Sequence, residues 1–212
     1  MAKILIGCEE SQIVCIEFRK RGHEAYSCDL LPCSGGHPEW HLKMDVFKAI
    51  GFKKWDLIIM HPPCTAIAVS GNSTYGFGKK KYYMRIESVK WTQNLWDYAI
   101  SRCNKVVMEN PVGVLNTMGN FPKPQYIQPY EHGHRISKKT GLWLVGLPEL
   151  KPTNIVEPEW IYYKNGGRCS PDHYKNAFSK KRGLLRSKTY PGIAAAFAAQ
   201  WSEDLTANNL SR

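Results

Sequence analysis

Trp55-Asp56-Leu57-Ile58-Ile59-Met60-His61-Pro62-Pro63-Cys64-Thr65 is the stretch whose reading decides the fold. Leu57 to Met60 is a short unbroken apolar run, the pattern of a strand buried on both faces of a parallel sheet. Pro62 and Pro63 then stop the ladder, because proline has no N–H to give it. The carboxyl edge of such strands is where open α/β sheets place their ligands, and the first residue after the prolines is a cysteine. A thiol there is positioned for chemistry. The plainer alternative is a Pro-Pro turn with an incidental buried cysteine.

Toward the amino terminus, Lys3 to Gly7 (KILIG) reads as a second buried strand. Gly7-Cys8-Glu9-Glu10-Ser11 turns from it into an amphipathic helix, Gln12 to Arg21, with Ile13, Ile16 and Phe18 as its inner face and Gly22 as its stop. His23 to Cys28 is a further short strand with Asp29 at its tip. Strand, glycine-bearing turn, helix and a strand ending in an acid make the shape of a nucleoside-binding βαβ unit. The glycine permits close backbone approach, and the acid can accept hydrogen bonds from ribose hydroxyls. A single glycine in place of G-x-G-x-x-G argues against a dinucleotide pyrophosphate site. Glu9 and Glu10 would repel pyrophosphate but suit a cofactor carrying an ammonium group, which points to S-adenosylmethionine; an ordinary structural βαβ unit is the alternative.

A Pro/Gly-rich loop follows, Leu31 to Trp40. Beyond it, Asp45 falls where a third strand would end, able to receive an adenine amino group or simply to cap the helix that begins at Val46. Cys28, Cys33, His37 and His41 lie in the same region, but none of their spacings forms a C-x-x-C knuckle, and no metal site is expected.

Toward the carboxyl terminus, Ala66 to Tyr83 reads as a long mobile loop, rich in Gly, Ser and Tyr, ending in Lys79-Lys80-Lys81. A basic, glycine-hinged loop beside a nucleophile suits closure over a phosphate backbone, and a solvated lysine cluster is the alternative. Met84 to Ser101 is a helix with Ile86, Val89, Leu95 and Ile100 as its buried positions. Lys105 to Met108 is the next buried strand, and Glu109-Asn110-Pro111-Val112-Gly113 at its end sets another acid on the ligand edge. A polar stretch with His132, His134, Arg135, Lys138 and Lys139 leads into an apolar strand, Leu142 to Leu147. Lys151 to Leu185 interleaves cations with rings, among them Trp160, Tyr162, Tyr163, Arg168 and His173, as nucleic-acid surfaces do. The alanine-rich Ile193 to Trp201 reads as a closely packed helix.

The chain has 212 residues, a net charge of +11 and 43% hydrophobic residues, which together describe one α/β domain with a real core and a polyanionic partner. No apolar run is long enough to span a membrane and no signal pattern opens the chain, so a soluble cytoplasmic protein, and a monomer, is expected. Seven cysteines, an odd number without a secretory signal, argue for thiols over a disulfide framework.

With PPC at one strand end and ENPVG at the next, the order resembles the cytosine-5 DNA methyltransferases, which carry a Pro-Pro-Cys nucleophile loop and then a Glu-Asn motif. It is closest to a compact branch encoded largely by bacteriophages. The resemblance runs through Cys28–Pro32, Met44–Phe47, His61–Thr65, Met108–Gly113, Lys138–Pro148 and Arg186–Ala194, nearly the whole chain. It implies a doubly wound, mostly parallel, Rossmann-like fold that binds S-adenosylmethionine. Amino-methylating DNA enzymes end the corresponding loop as Pro-Pro-aromatic, and Cys64 argues against them. Residue by residue, the resemblance implies that Cys64 adds to carbon 6 of a cytosine flipped out of duplex DNA. Glu109, its pKa raised by burial, would work with Pro63 and Asn110 to stabilise the activated ring. Gly7, Glu9, Asp29, Asp45 and Pro62 would hold the cofactor. Lys79, Lys80, Lys81, Gln128, Lys138, Lys139, Arg168 and Arg186 would meet the nucleic acid. The family's Gln-x-Arg-x-Arg motif is absent as such, and its Gly-x-Gly turn is Gly7-Cys8-Glu9 here. The chain is expected to be one methyltransferase domain over residues 1–212, in host cytoplasm if phage-encoded. Residues 151–185 take the place of a full target-recognition domain, which implies a short or relaxed target sequence. The same chemistry on RNA or single-stranded DNA, and a non-catalytic DNA-binding protein that keeps the fold, are the alternatives.

Overall fold

The structure, a computed structural model, describes residues 1–175 and 187–207. Seven strands form the central sheet: β1 Lys3–Gly7, β2 Glu24–Asp29, β3 His41–Lys43, β4 Leu57–Met60, β5 Val106–Pro111, β6 Gln125–Ile127 and β7 Thr140–Val145. Their order across the sheet is β3-β2-β1-β4-β5-β7-β6. β1 to β5 are parallel, whereas β7 is antiparallel to both β5 and β6. This is the doubly wound, mostly parallel, Rossmann-like α/β architecture expected.

The apolar runs explain the layers. Successive strand residues point to opposite faces, so Ile4, Ile6, Leu57 and Ile59 fall on one side with α1 (Ile13–Lys20) and the closing helix Pro191–Ala207, through Val14, Phe18, Phe197 and Trp201. Leu5, Ile58 and Met60 fall on the other with α2 (Val46–Phe52) and the long helix Tyr82–Arg102, through Val46, Ile50, Val89, Leu95 and Trp96. Each such side chain contributes about 1.5–3 kcal/mol by leaving water. In chain order the remaining helices are α3 (Asn72–Tyr75), then α4 as the long helix, α5 (Leu115–Met118), α6 (Pro171–Lys175) and α7 as the closing helix. A two-stranded ribbon, β8 (Ile161–Tyr162) with β9 (Arg168–Cys169), stands apart from the sheet.

Four local expectations are corrected. The inner face of α1 is Val14, Cys15 and Phe18, with Ile13 and Ile16 only half-buried; Gln12 enters the helix in the left-handed region (φ 61), which sets the helix rotation. The inner stripe of α4 runs Arg85, Val89, Thr92, Trp96 and Ala99, so Ile86 and Ile100 face out while Val89 and Leu95 are buried as expected. Residues 66–83 are not a formless loop: they hold a 3-10 turn at Val69–Gly71 and α3, packed on α4. Finally, β5 continues through Glu109 and Asn110 to Pro111, because β7 runs beside it and extends the ladder.

Candidate active site

The cysteine loop is anchored before it begins. The His61 amide donates to the Gly7 carbonyl at 2.9 Å, tying the end of β4 to the end of β1. Pro62 is buried, Pro63 exposed and Cys64 half-buried. The Cys64 carbonyl then accepts from the amides of Ile67 (3.0 Å) and Ala68 (2.8 Å), so the thiol stands at the start of one helical turn. That turn is stitched to the chain leaving β5, by Val69 N–H to Val112 O (3.0 Å) and Val114 N–H to Ile67 O (3.1 Å). At the crossing, a Cβ on Gly113 would run into the Ile67 carbonyl, which accounts for the glycine of ENPVG. Arg85 supports the turn from behind: only 4% exposed, it donates Nε to Ala66 O at 2.7 Å. Sequence reading missed Arg85. Its signal was a cation at the head of a helical stripe of otherwise uncharged residues.

β5 brings its two polar residues to this loop. Asn110, buried, donates Nδ2 to the Pro62 carbonyl at 2.9 Å, while its Oδ1 is buried with no hydrogen-bond partner. Glu109 Oε2 lies 2.8 Å from His61 Nδ1, with the two side chains 13% and 8% exposed. Here the expected direction of the Glu109 pKa is reversed. Burial does push it up, but the hydrogen bond and charge of His61, joined by Lys138, outweigh burial and leave it below the ordinary carboxylate value. Burial pulls His61 down, and Glu109 with Glu9 more than restores it, so the imidazole lies above its ordinary value. Both shifts favour the charged forms, a carboxylate beside an imidazolium. His61 was not singled out as a site residue from the sequence, because one histidine before two prolines has no local pattern.

Glu109 also lines a small enclosed space with Lys138, Thr140 and Tyr190. Lys138 and Tyr190 in turn border a neighbouring cleft of about 450 Å³, whose walls include Tyr163, Arg168, Ser170 and Asp172. A volume of that order accommodates a nucleotide-sized ligand.

The β1–β3 end carries the residues expected to hold a cofactor. A Cβ on Gly7 would come within 2.7 Å of Val46 Cγ2, so this glycine serves the packing of α2 on β1. Cys8 follows with φ 59, in the region a glycine would occupy without strain; burial, then Asp29, Cys28 and Asp45, raises its thiol pKa far above the ordinary value. Glu9 turns inward: its two oxygens accept the amides of Val14 (2.7 Å) and Cys15 (3.3 Å) at the start of α1. Burial raises its pKa despite those bonds and His61. Glu10 by contrast keeps a buried oxygen, Oε1, without a hydrogen-bond partner, and Lys188 Nζ lies 3.8 Å from it. Asp29 Oδ1 accepts the Leu31 amide at 2.9 Å. Asp45 Oδ1 caps α2 through Phe47 N–H (3.0 Å) and Lys48 N–H (3.3 Å). Both aspartates have their second oxygen to offer.

The residues expected to meet nucleic acid are not all brought together. Lys79, Lys80 and Lys81 are exposed ahead of α4. Gln128 is engaged within the chain, accepting the Lys138 amide at 2.9 Å. Lys138 turns toward Glu109, whereas Lys139 lies over the Tyr126 ring at 4.3 Å. Arg168 packs over Trp160 at 4.0 Å and reaches the large cleft. Arg186 lies outside the described residues. Cys28, His37 and His41 have their own partners, in Met44 O, Trp40 and Ser27. No group of three or more potential metal ligands gathers among the described residues. No described helix is long and apolar enough to cross a membrane.

No protein-family model matches the sequence, and no curated protein matches it. Among solved structures, the chain is similar to a crystal structure of a candidate DNA modification methyltransferase encoded within a prophage of E. coli. The two share 12% identity with a TM-score of 0.44, over 74% of this chain and 52% of the other. The chain therefore spans about half the length of that protein.

Proposed function

We propose that the protein is a DNA cytosine-5 methyltransferase. The observation that carries this reading is the convergence at two adjacent strand ends. Cys64 follows β4, Glu109 lies on β5, and Asn110 joins them by holding the Pro62 carbonyl. A binding protein needs no thiol and carboxylate so arranged.

The β1–β3 end fits S-adenosylmethionine. Glu10 Oε1, buried without a hydrogen bond and already 3.8 Å from the Lys188 ammonium, suits an ammonium group, and the second oxygens of Asp29 and Asp45 suit ribose hydroxyls and an adenine amine. Gly7 and Glu9 shape the turn beside them, Glu9 acting through α1, and Pro62 borders it from the end of the neighbouring β4. When bound, the cofactor supplies an electrophilic methyl group. Carbon 5 of cytosine is too weak a nucleophile to take it unaided. Cys64, as thiolate, adds to carbon 6, and the displaced electron pair moves through the ring toward nitrogen 3, where Glu109 meets it. Pro63 and Asn110 fix the height of the thiol. The base reaches this site only when flipped from the stack, past Lys138 and Tyr190, with phosphates held by Lys138, Arg168 and the exposed Lys79–Lys81 group. The short basic segment after Lys151 offers few base contacts, each worth about 1–3 kcal/mol, so the target sequence is short or relaxed.

Labelled-methyl transfer from S-adenosylmethionine to duplex DNA tests this reading. Wild type should label carbon 5 of cytosine, and Cys64→Ser should not. Label appearing only on single strands or RNA would move the substrate. Label on the exocyclic amine would end the cytosine-5 reading, and cofactor binding without transfer to any nucleic acid would favour a non-catalytic binder.

A further inference from the structure

We propose that His61 is a positioning residue that holds the proton of this reaction. Its Nδ1–H, 2.8 Å from Glu109 Oε2, passes through that carboxyl to nitrogen 3 as Cys64 adds to carbon 6, and returns when the methyl group arrives. The proposal rests on the cytosine-5 reading above.

A lone carboxylate at this place would oppose the reaction, since negative charge flows toward nitrogen 3 and needs a donor. Glu109 has no spare proton of its own, because its partner holds it in the charged form. An imidazolium directly behind it changes the sum: the dyad is neutral overall and has one proton to give. The pair is also shielded from bulk water, since the two side chains are only 8% and 13% exposed. His61 Nε2 is buried with no hydrogen-bond partner, so the ring has one protein partner, on its Nδ1 side. The other charged groups facing His61 are Glu9 from the first turn, which favours the imidazolium, and Lys138 ahead of β7, which opposes it. His61 lies in the same loop as Cys64, and its amide bond to Gly7 fixes that loop on β1. Nucleophile and proton are therefore registered to each other through four consecutive residues, His61 to Cys64.

The step balances. The thiolate pair forms the sulfur–carbon 6 bond, and the carbon 5–carbon 6 π pair becomes a carbon 4–carbon 5 bond. The carbon 4–nitrogen 3 π pair settles on nitrogen 3, which bonds the one proton of the dyad after it has passed from His61 Nδ1 to the Glu109 carboxylate, leaving the imidazole neutral and Glu109 again a carboxylate. When carbon 5 bonds the methyl group, the methyl–sulfur bond breaks to leave a neutral thioether, the carbon 4–nitrogen 3 double bond reforms, and the nitrogen 3 proton goes back through Glu109 to His61. The carbon 5 proton then leaves to water, and its electron pair expels the Cys64 thiolate.

The test is the pH profile of kcat for wild type and His61→Asn on cytosine-containing duplex. Asparagine sets an N–H near the Nδ1 position, so it keeps the hydrogen bond to Glu109 but has no proton to release. Expected is a fall in kcat of about 10²-fold at neutral pH, the scale of one acid–base contribution, with KM nearly unchanged. The alkaline limb of the wild-type profile should move to lower pH, because in the variant Glu109 must itself carry the proton and activity rises only toward acid. A purely structural histidine would move KM or stability and leave the profile in place. If His61→Asn does not fold, the imidazole ¹⁵N titration of His61 in the wild-type complex with cofactor and DNA serves instead. Its midpoint must coincide with the alkaline limb of kcat. An unchanged profile in the variant, or a His61 that is neutral throughout the active range, overturns the proposal alone. A wild type that never methylates cytosine removes the reading beneath it as well.

Discussion

At the β1–β3 end of the sheet, acids point at backbone: Glu9 at α1, Asp29 at Leu31, Asp45 at α2. At the β4–β5 end, polar side chains point at one another and at the loop that carries the thiol: Glu109 at His61, Asn110 at Pro62. The first arrangement uses carboxylates to finish secondary structure and leaves an oxygen over for a ligand. The second buries charged and polar atoms together and leaves two, His61 Nε2 and Asn110 Oδ1, without a hydrogen bond, where the first leaves Glu10 Oε1 so placed, with Lys188 3.8 Å away. Caps stabilise a fold whether or not anything binds. Unsatisfied buried groups cost stability, and such groups call for an explanation in function or in a missing ligand. On the proposed reading, the first end holds a cofactor by acceptors that the fold already needs, and the second is built for chemistry at the expense of stability.

That contrast can be broken most sharply at the thiol. Cys64→Ala should reduce methyl transfer to the assay blank while leaving S-adenosylmethionine affinity, measured calorimetrically, at the wild-type value. Loss of both would merge the two ends. Glu109→Gln should lower transfer by about 10²–10⁴-fold, again with cofactor affinity kept.

Smaller effects separate the ends by stability. Gly113→Ala forces a Cβ against the Ile67 carbonyl and should cost about 1–3 kcal/mol in urea unfolding, as overpacking does, with reduced activity because the cysteine turn must shift. Asp45→Ala removes the α2 cap and should cost about 0.5–2 kcal/mol, here with weaker cofactor binding and an unchanged pH profile. The pH dependence of stability supplies the finest distinction. Glu109 titrates below its ordinary 4.5 in the folded chain, so its contribution is present above that value and lost as pH falls through the folded pKa. His61 titrates above its ordinary 6.5, so its contribution is full below that value and lost as pH rises through the folded pKa. The stability difference between wild type and His61→Asn should therefore be greatest between pH 4.5 and 6.5 and shrink on both sides. A difference that grows steadily with pH would deny the ion pair.

The parts of this account that were legible in the sequence are those set by local chemistry. Lys3–Gly7 and Leu57–Met60 announce themselves as buried strands because continuous apolar runs of that length have no other stable place. Asp45 reads as a cap because an acid preceding a helix start has a local use. The HPPC turn reads as a strand end because proline cannot continue a ladder. What stayed hidden depends on distant chain. Arg85 is inside only because the Ala66 and Ala68 carbonyls need a donor, and helical periodicity offered Ile86 and Ile100 with equal ease. The His61–Glu109 pair joins residues 48 positions apart, and it reverses the pKa direction that burial alone predicts for Glu109. Glu9 was read as suited to an ammonium group, and only the folded turn shows its carboxylate spent on the Val14 and Cys15 amides at the start of α1.

The central claim is that Cys64 adds covalently to cytosine, and trapping the adduct tests it most directly. In duplex DNA carrying 5-fluorocytosine, carbon 5 has no proton to lose after methylation, so the final elimination cannot occur and the sulfur–carbon 6 bond persists. Mass spectrometry of wild type incubated with this DNA and S-adenosylmethionine should show a one-to-one protein–DNA adduct carrying an added methyl group. Peptide mapping should place the link on Cys64, and Cys64→Ser should show none. Methyl transfer to ordinary cytosine without any trapped adduct, or an adduct that persists in Cys64→Ser, would contradict the account.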